Sequence, residues 1–237
     1  YTEFERILAA KELALFKKYI QKRIEGFSAA AIIGKKEFMG LTLKVNEQVL
    51  IPRPDTETWL EKVIQYYRNE TGLKVADLGT GSGAILVGFL YYCRDAVGVG
   101  VDISTEALKI AEENGQNLKI TDRVEWRQGD YLKAFDEEDI FDGIFSNPPY
   151  IPTKDIGGLS REVKHEPRLA LDGGTDGLYF YHLLAKGAAE HLKPGGFLAV
   201  EFGIGQATDI LEMFRKSAQY EDFEVIKDYG GIERALY

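Results

Sequence analysis

The sequence contains few of the residues that bind metals or form disulfides. Its 237 residues include one cysteine, Cys93, and three histidines, His165, His182 and His191. A single cysteine cannot form an internal disulfide, so we expect Cys93 to be a small buried apolar residue in a cytoplasmic protein. The histidines are scattered without the spacing of metal ligands. We therefore expect no metal site.

The sequence also lacks a long apolar run and an excess of basic residues. No apolar run approaches the roughly 20 residues that span a bilayer, and we expect no membrane partner. Acidic residues number 38 and basic residues 29, giving a net charge of −9. This balance opposes duplex DNA binding, and we expect no direct nucleic-acid partner. Because the first residue is Tyr1 and no signal peptide follows, we expect the chain to begin partway through a longer protein.

The N-terminal part of the sequence predicts one helix followed by a hairpin. Apolar residues at spacings of three, four and four share one helical face, and Gly26 is a suitable helix end. From residue 37 to 51 the pattern becomes extended, with a turn predicted at Asn46. A second helix is predicted after Pro54, with Asp55 or Thr56 as its cap. The apolar residues of the first helix are Leu13, Phe16, Ile20 and Ile24.

The rest of the sequence alternates between short apolar runs and helical stretches. Such alternation predicts parallel βαβ units and a doubly wound α/β sheet. The last two strands, near 223–226 and 233–236, are joined by a short linker and should therefore pair antiparallel. In such sheets ligands bind beyond the carboxyl ends of the strands. The five earlier runs are Val75 to Leu78, Val97 to Val101, Val124 to Trp126, Phe141 to Phe145 and Phe197 to Phe202.

A glycine-rich loop follows the first of these strands directly. Its glycines permit positive φ and close approach of a ligand, and the next helix offers unpaired N–H groups to an anion. The residue pattern of the loop fits both a dinucleotide-binding loop and a methyltransferase loop, so the loop alone does not decide between these two functions. The candidate cofactor-binding residues are Gly79, Thr80, Gly81, Ser82 and Gly83.

Two further strand ends carry candidate cofactor-binding residues. Asp102 ends the second strand, where a carboxylate can accept hydrogen bonds from ribose hydroxyls, and Ile103 follows it. Asp130 and Tyr131 follow the third strand, where a carboxylate can accept from an exocyclic amine and a ring can pack on a purine. These positions favour a nucleoside as the ligand.

The sequence Asn-Pro-Pro-Tyr, residues 147–150, follows the fourth strand. Its prolines stiffen the backbone and leave carbonyls free to accept hydrogen bonds. Asn147 and the Pro148 carbonyl could accept from a planar NH2 group, and Tyr150 could form a wall of the site. Acceptors placed there would stabilise the positive charge that develops when a delocalised nitrogen attacks an electrophile. We therefore expect Asn147, Pro148 and Tyr150 to be catalytic, and these three with Pro149 to bind substrate.

At these residues the sequence resembles the class I S-adenosylmethionine-dependent methyltransferases, and specifically the HemK/PrmC family of protein-(glutamine-N5) methyltransferases. The resemblance spans roughly residues 11 to 237. Beyond the two motifs above it rests on 51–57, on Glu166 with 167–171, on 173–177, on the Glu-x-Gly-x-x-Gln segment 201–206, and on Asp228 with Arg234.

The resemblance implies a cofactor, a substrate and a domain organisation. S-adenosylmethionine would be held by 79–83, Asp102, Ile103, Asp130, Tyr131 and Asn147, and converted to S-adenosylhomocysteine. The substrate would be the glutamine of the Gly-Gly-Gln loop of class 1 peptide chain release factors, with Arg53 also contacting it. Residues 1–36 would be the remnant of an N-terminal helical domain, 37–53 a hairpin linker and 54–237 the methyltransferase domain.

Other functions remain open from the residues alone. A DNA adenine-N6 methyltransferase uses the same Asn-Pro-Pro-Tyr motif to methylate a planar NH2 group. Such an enzyme ordinarily needs a recognition domain and a basic surface to flip a base. A noncatalytic scaffold that binds S-adenosylmethionine would need the same loop without turnover. A dehydrogenase would leave the Asn-Pro-Pro-Tyr motif without a role. A hydrolase would need a nucleophile–base pair that the sequence does not suggest.

Overall fold

The structure of the protein, a computed structural model, describes residues 6–237. Helix α1, Ala10–Glu25, ends at Gly26, whose φ of 108° closes the helix as the sequence predicted. Its predicted apolar face is exposed to solvent within the described chain. The predicted N-terminal segment 1–36 includes residues 1–5, which lie outside the described residues.

The hairpin that precedes the main domain turns earlier than the sequence predicted. Strands β1, Lys35–Phe38, and β2, Leu41–Lys44, pair antiparallel through a two-residue turn. Met39 and Gly40 form this turn with φ values of 50° and 72°, which matches the tight turns that favour hairpins. The turn predicted at Asn46 is present, but it follows β2 and does not join the two hairpin strands. The Asn46 side chain accepts a hydrogen bond from the backbone N–H of Gln48 at 2.8 Å.

A seven-stranded sheet forms the centre of the molecule, in the order β5-β4-β3-β6-β7-β9-β8. Strands β3 to β7 run parallel, whereas β9 pairs antiparallel with both β7 and β8. The predicted doubly wound sheet with an antiparallel final strand is confirmed. The strands are β3 Lys74–Leu78, β4 Val97–Asp102, β5 Val124–Gln128, β6 Phe141–Ser146, β7 Leu192–Glu201, β8 Val225–Lys227 and β9 Glu233–Leu236.

Helices cover both faces of this sheet, because alternate residues of each central strand point to opposite sides. Val75 packs with side chains of α3 and α4, whereas Ala76 and Leu78 pack with those of α6 and α7. Cys93 lies in the first of these clusters, and burial raises the pKa of its thiol to about 11. The helices are α2 Ala29–Ile33, α3 Pro54–Tyr67, α4 Ala84–Tyr92, α5 Thr105–Asn117, α6 Tyr179–Gly187 and α7 Ala207–Ser217.

The start of α3 differs from the sequence prediction. The cap is Arg53, and Pro54 occupies the first helical turn, where its missing N–H costs nothing. The prediction of Asp55 or Thr56 as the cap is therefore wrong. Asp55 pairs instead with Arg234 at 3.0 Å, and the Thr56 hydroxyl donates to a buried carboxylate described below. Across residues 6–237, every helix is too short or too polar to cross a membrane.

Gly143 in β6 is the position where the sheet depends most directly on a missing side chain. A methyl group at this position would lie 2.1 Å from the ring of Phe197 in the neighbouring strand β7. We expect Gly143→Ala to lower the free energy of unfolding by about 1–3 kcal/mol through overpacking. Gly157→Ala is the control, because nothing lies within 4 Å of its added methyl group. Urea titration measures both, and equal stability of the two variants would contradict the packing argument.

Candidate active site

The glycine loop leads from β3 into α4 at the carboxyl edge of the sheet. Gly79, Gly81 and Gly83 have φ values of 74°, 57° and 79°, a region that favours glycine. The N–H groups of Gly79 and Thr80 both donate to the Val101 carbonyl at 2.9 Å. The loop is thus fixed to the end of β4, and it bends so that a ligand could approach its backbone closely.

Asp102 joins this loop to the second strand end. One carboxylate oxygen accepts from the Gly81 N–H at 2.8 Å, and the other accepts from the Ser104 N–H at 2.9 Å. Burial raises the pKa of Asp102, while these N–H donors act against the increase. Each oxygen retains a lone pair for a further donor. Ile103, beside it, is exposed.

Tyr131 lies over the glycine loop. Its ring stacks on Phe180 with centroids 4.5 Å apart, and a methyl group on Gly79 would lie 2.9 Å from its hydroxyl oxygen. The Tyr131 backbone has a φ of 51°, which is strained for a residue with a side chain. Asp130, by contrast, is exposed and pairs with Lys133 at 2.5 Å.

The segment 147–150 follows β6 and is held in place by the loop at 171–177. The Ile151 N–H donates to the Leu171 carbonyl at 3.0 Å, and the Gly173 N–H donates to the Ile151 carbonyl at 2.9 Å. The Gln206 amide donates to the Tyr150 carbonyl at 3.1 Å. A methyl group on Gly173 would lie 2.6 Å from the Pro149 carbonyl oxygen. Close backbone packing therefore supports the predicted rigidity of this segment.

A buried carboxylate stands beside Asn147. Glu201 ends β7 and is 2% exposed, and one of its oxygens accepts from Thr56 Oγ1 at 2.6 Å and from Trp59 Nε1 at 2.8 Å. Burial raises the pKa of Glu201, and the hydrogen bonds it accepts, including one from the Asn147 side chain, oppose that increase. Tyr150 lies within the electrostatic reach of Glu201 and Arg53, and burial raises the pKa of its hydroxyl.

Arg53 is engaged within the protein. Its guanidinium donates to both oxygens of Glu166, at 2.7 and 2.8 Å, and the Ile51 N–H adds a longer contact at 3.3 Å. Burial raises the pKa of Glu166, and Arg53 counteracts that effect. This pair ties the linker before α3 to the loop that supports 147–150. Arg168 is also bonded internally, to Asp172 at 2.9 Å.

Three buried polar atoms in the described chain have no hydrogen-bond partner, and all three belong to this edge of the sheet. They are Asp77 Oδ1, the Tyr131 hydroxyl and Asn147 Oδ1. Buried polar groups in folded proteins are nearly always paired, so these strand ends hold polar atoms that a bound ligand could pair with. Among residues 6–237, the acidic, His and Cys side chains form no group suited to a metal ion.

The structure brings most of the predicted site residues together. One cavity is lined by Arg53, Thr56, Asn147 and the first four residues of the glycine loop, 79–82. Tyr150 lies outside this cavity, in a depression that it shares with Gln206. Asp102 reaches the loop from beneath, whereas Asp130 points to solvent. The roles predicted for these residues remain predictions.

Sequence reasoning did not assign a site role to Glu201, Thr56 or Trp59. The signal was present for Glu201, because a charged residue in the apolar run before Phe202 is unusual and it ends a parallel strand, as Asp102 does. No sequence signal marked Trp59, which lies 142 residues from the carboxylate that it contacts.

The buried Asp77 makes the stability of the protein depend on pH. Burial raises the pKa of Asp77 from 3.8 to about 7, so between these values the folded form keeps a proton that the unfolded chain loses. Stability therefore falls as the pH rises from about 4 to about 7. We expect Asp77→Asn to be more stable than the unmodified protein at about pH 8, by about 4 kcal/mol, and equally stable near pH 4. Urea unfolding at both pH values measures this, and equal stability at the higher pH would contradict it.

Comparison with known proteins identifies the family. The family model for a methyltransferase domain matches residues 69–224. A release factor glutamine methyltransferase from Bradyrhizobium diazoefficiens is 43% identical over 235 residues, covering 98% of this chain and 78% of that protein. One from Caulobacter vibrioides is 40% identical over 236 residues, covering 99% and 81%. A methyltransferase structure from Pyrococcus furiosus shares the fold, with a TM-score of 0.60 at 21% identity over 92% of this chain and 95% of that one. The chain belongs to the release factor glutamine methyltransferase family.

Proposed function

We propose that the protein transfers a methyl group from S-adenosylmethionine to the side-chain amide nitrogen of the glutamine in the Gly-Gly-Gln loop of peptide chain release factors. Membership of the family supports this reaction. The observation that carries the proposal is the cluster of unpaired buried atoms on Asp77, Tyr131 and Asn147, because it supplies polar groups for a cofactor and a substrate at one edge of the sheet. Release factors act in translation, so we place the reaction in the cytoplasm.

The cofactor would lie along the glycine loop. The backbone of 79–83 accommodates its amino-acid part, and Asp102 accepts from its ribose hydroxyls with the lone pairs that Gly81 and Ser104 leave free. Asp130 and Tyr131 would border the adenine, with Ile103 beside the ribose. When bound, S-adenosylmethionine supplies an electrophilic methyl group on a sulfonium. A cofactor that follows the Gly79 backbone closely would meet the Tyr131 hydroxyl group, which lies 2.9 Å from the position of a methyl group on Gly79.

The substrate amide would be held by Asn147 and the segment that follows it. Its nitrogen is a poor nucleophile because the lone pair is delocalised into the carbonyl. Asn147 Oδ1, buried and unpaired, can accept one N–H, and the Pro148 carbonyl can accept the other. These acceptors orient the nitrogen and stabilise the positive charge that develops on it during transfer. The proton then leaves after transfer, so no strong base is required in the site.

Pro149 and Tyr150 would shape the rest of the substrate site. Their backbone is fixed by Gly173 and Gln206, so the two acceptors keep their spacing while the substrate binds. Arg53 would act mainly through Glu166, which aligns the linker over the cavity. Direct contact of Arg53 with the release factor would use the donors that Glu166 does not occupy.

The proposal is tested by incubating the protein with methyl-labelled S-adenosylmethionine and purified release factor. We expect label on the release factor and none on a variant whose Gly-Gly-Gln glutamine is replaced by alanine. One parallel reaction contains duplex DNA in place of release factor, and a second contains no methyl acceptor. Label on the DNA alone would indicate an adenine methyltransferase. Cofactor binding with no labelled product in any reaction would indicate a noncatalytic scaffold, and both results would contradict the proposal.

Asn147→Ala tests the acceptor directly. Loss of one preorganised group at a centre that develops charge costs about 2.7–4 kcal/mol, so we expect turnover to fall roughly a hundred- to a thousandfold. Binding of S-adenosylhomocysteine, measured by calorimetry, should change much less. Asn117→Ala, at the end of α5, is the control and should leave both values unchanged. Turnover near that of the unmodified protein in Asn147→Ala would refute the assigned role.

Asp102→Ala tests the ribose contact. Charged hydrogen bonds contribute roughly 1.5–3 kcal/mol each, so we expect the dissociation constant of S-adenosylhomocysteine to rise at least about tenfold. Asp122→Ala, an exposed carboxylate before β5, is the matched control. Calorimetry measures both variants. An unchanged constant for Asp102→Ala would show that the ribose is held elsewhere.

A further inference from the structure

Glu201 is a fully buried carboxylate that the proposed transfer does not use as acid, base or ligand. Burying a charged group is costly unless partners compensate it. Thr56 and Trp59 supply two donors, both on the same oxygen, Oε2. The other oxygen, Oε1, takes neither of these donors.

Sheet register places a further donor, Asn147, beside this carboxylate. Ser146 of β6 is the parallel register partner of Val200 of β7. Asn147 directly follows Ser146 and Glu201 directly follows Val200, so the two residues lie side by side at the edge of the sheet. In that position the Asn147 side chain acts as a hydrogen-bond donor that lowers the pKa of Glu201. Thr56 connects the same groups, because it donates to Glu201 and lines the cavity that also contains Asn147.

An ionised Glu201 favours one orientation of the Asn147 carboxamide. An ionised carboxylate only accepts hydrogen bonds, so it can pair with Nδ2 and not with Oδ1. With Nδ2 directed to Glu201, Oδ1 is directed away from it, and Oδ1 is the buried atom that lacks a partner. A carboxamide rotated by half a turn would present a donor to the substrate nitrogen, which already carries hydrogens.

We infer that Glu201 is a positioning residue that fixes the orientation of the Asn147 carboxamide, so that Oδ1 faces the substrate amide. The inference rests on the proposed function, because it assigns a cause to the acceptor that the function requires. Trp59 contributes to this positioning. Its indole nitrogen can only donate a hydrogen bond, so the atom of residue 201 that faces Trp59 must be an oxygen.

Glu201→Gln tests the inference with almost no change of shape. Trp59 and Thr56 still donate hydrogen bonds to the side-chain oxygen of the new glutamine. Its NH2 group therefore faces Asn147. Two donors then oppose each other, and Asn147 must rotate and turn its own NH2 group toward the substrate. We expect kcat to fall about 100-fold or more. The KM for release factor and the dissociation constant of S-adenosylhomocysteine should stay within about threefold.

The double variant Asn147→Asp with Glu201→Gln supplies the matching rescue. Aspartate has an oxygen at both ends, so one can accept from the glutamine NH2 group while the other faces the substrate. We expect kcat of the double variant to exceed that of Glu201→Gln by about tenfold or more, the coupling that a double-mutant cycle isolates. Asn147→Asp alone places two carboxylates together and should not reach the activity of the double variant.

Asp139→Asn is the control for removing a buried carboxylate. Asp139 is 6% exposed and pairs with Arg127. It precedes β6, at the opposite end of that strand from Asn147, so this variant should lose stability but keep kcat. Unchanged kcat in Glu201→Gln, or a double variant no more active than Glu201→Gln, would overturn the inference while the unmodified protein still methylates release factor. Absence of methylation by the unmodified protein would instead overturn the proposed function.

A measurement on the unmodified protein makes the inference independent of how well the variants fold. With side-chain amides labelled by a nitrogen isotope, the Asn147 NH2 group should show one proton protected from solvent exchange by its bond to Glu201. Assignment follows from the loss of that signal in Asn147→Ala. Rapid exchange of both protons would overturn the inference.

Discussion

The site depends on the parallel register between β3 and β6. Leu78 and Ser146 are register partners, and the Ser146 hydroxyl donates to the Leu78 carbonyl at 2.8 Å. The glycine loop and Asn147 follow these two residues directly, so neighbouring strands deliver both to one edge of the sheet. A slip of this register would separate the loop from the asparagine and reverse which faces of the strands are buried.

The same edge concentrates polar groups that a folded protein rarely leaves buried. Asp77 and Glu201 are both removed from solvent, and burial raises the pKa of each. Elsewhere, buried or half-buried charges such as Asp139 and Arg127 are directly paired. Burial of these two carboxylates opposes folding when they are ionised, which is common where groups are arranged for binding or chemistry.

Much of this fold could be predicted from the sequence, because the βαβ alternation and the strand-end rule are local patterns. These patterns alone place Asp102 and Asn147 at one edge of the sheet. The hairpin turn at Met39 could not be predicted, since a positive φ at methionine is decided by the pairing of β1 with β2 and not by local preference. The helix cap was misplaced because Asp55 and Thr56 have distant partners, Arg234 and Glu201, that outweigh their capping tendency.

The position of Tyr131 has a consequence for the kinetics of loading. Its hydroxyl oxygen lies 2.9 Å from the position that a methyl group on Gly79 would take. A cofactor that follows the glycine loop closely would have to displace this hydroxyl group. The ring is held there by stacking on Phe180, with centroids 4.5 Å apart. Loading of the cofactor would then require part of this aromatic contact to be given up.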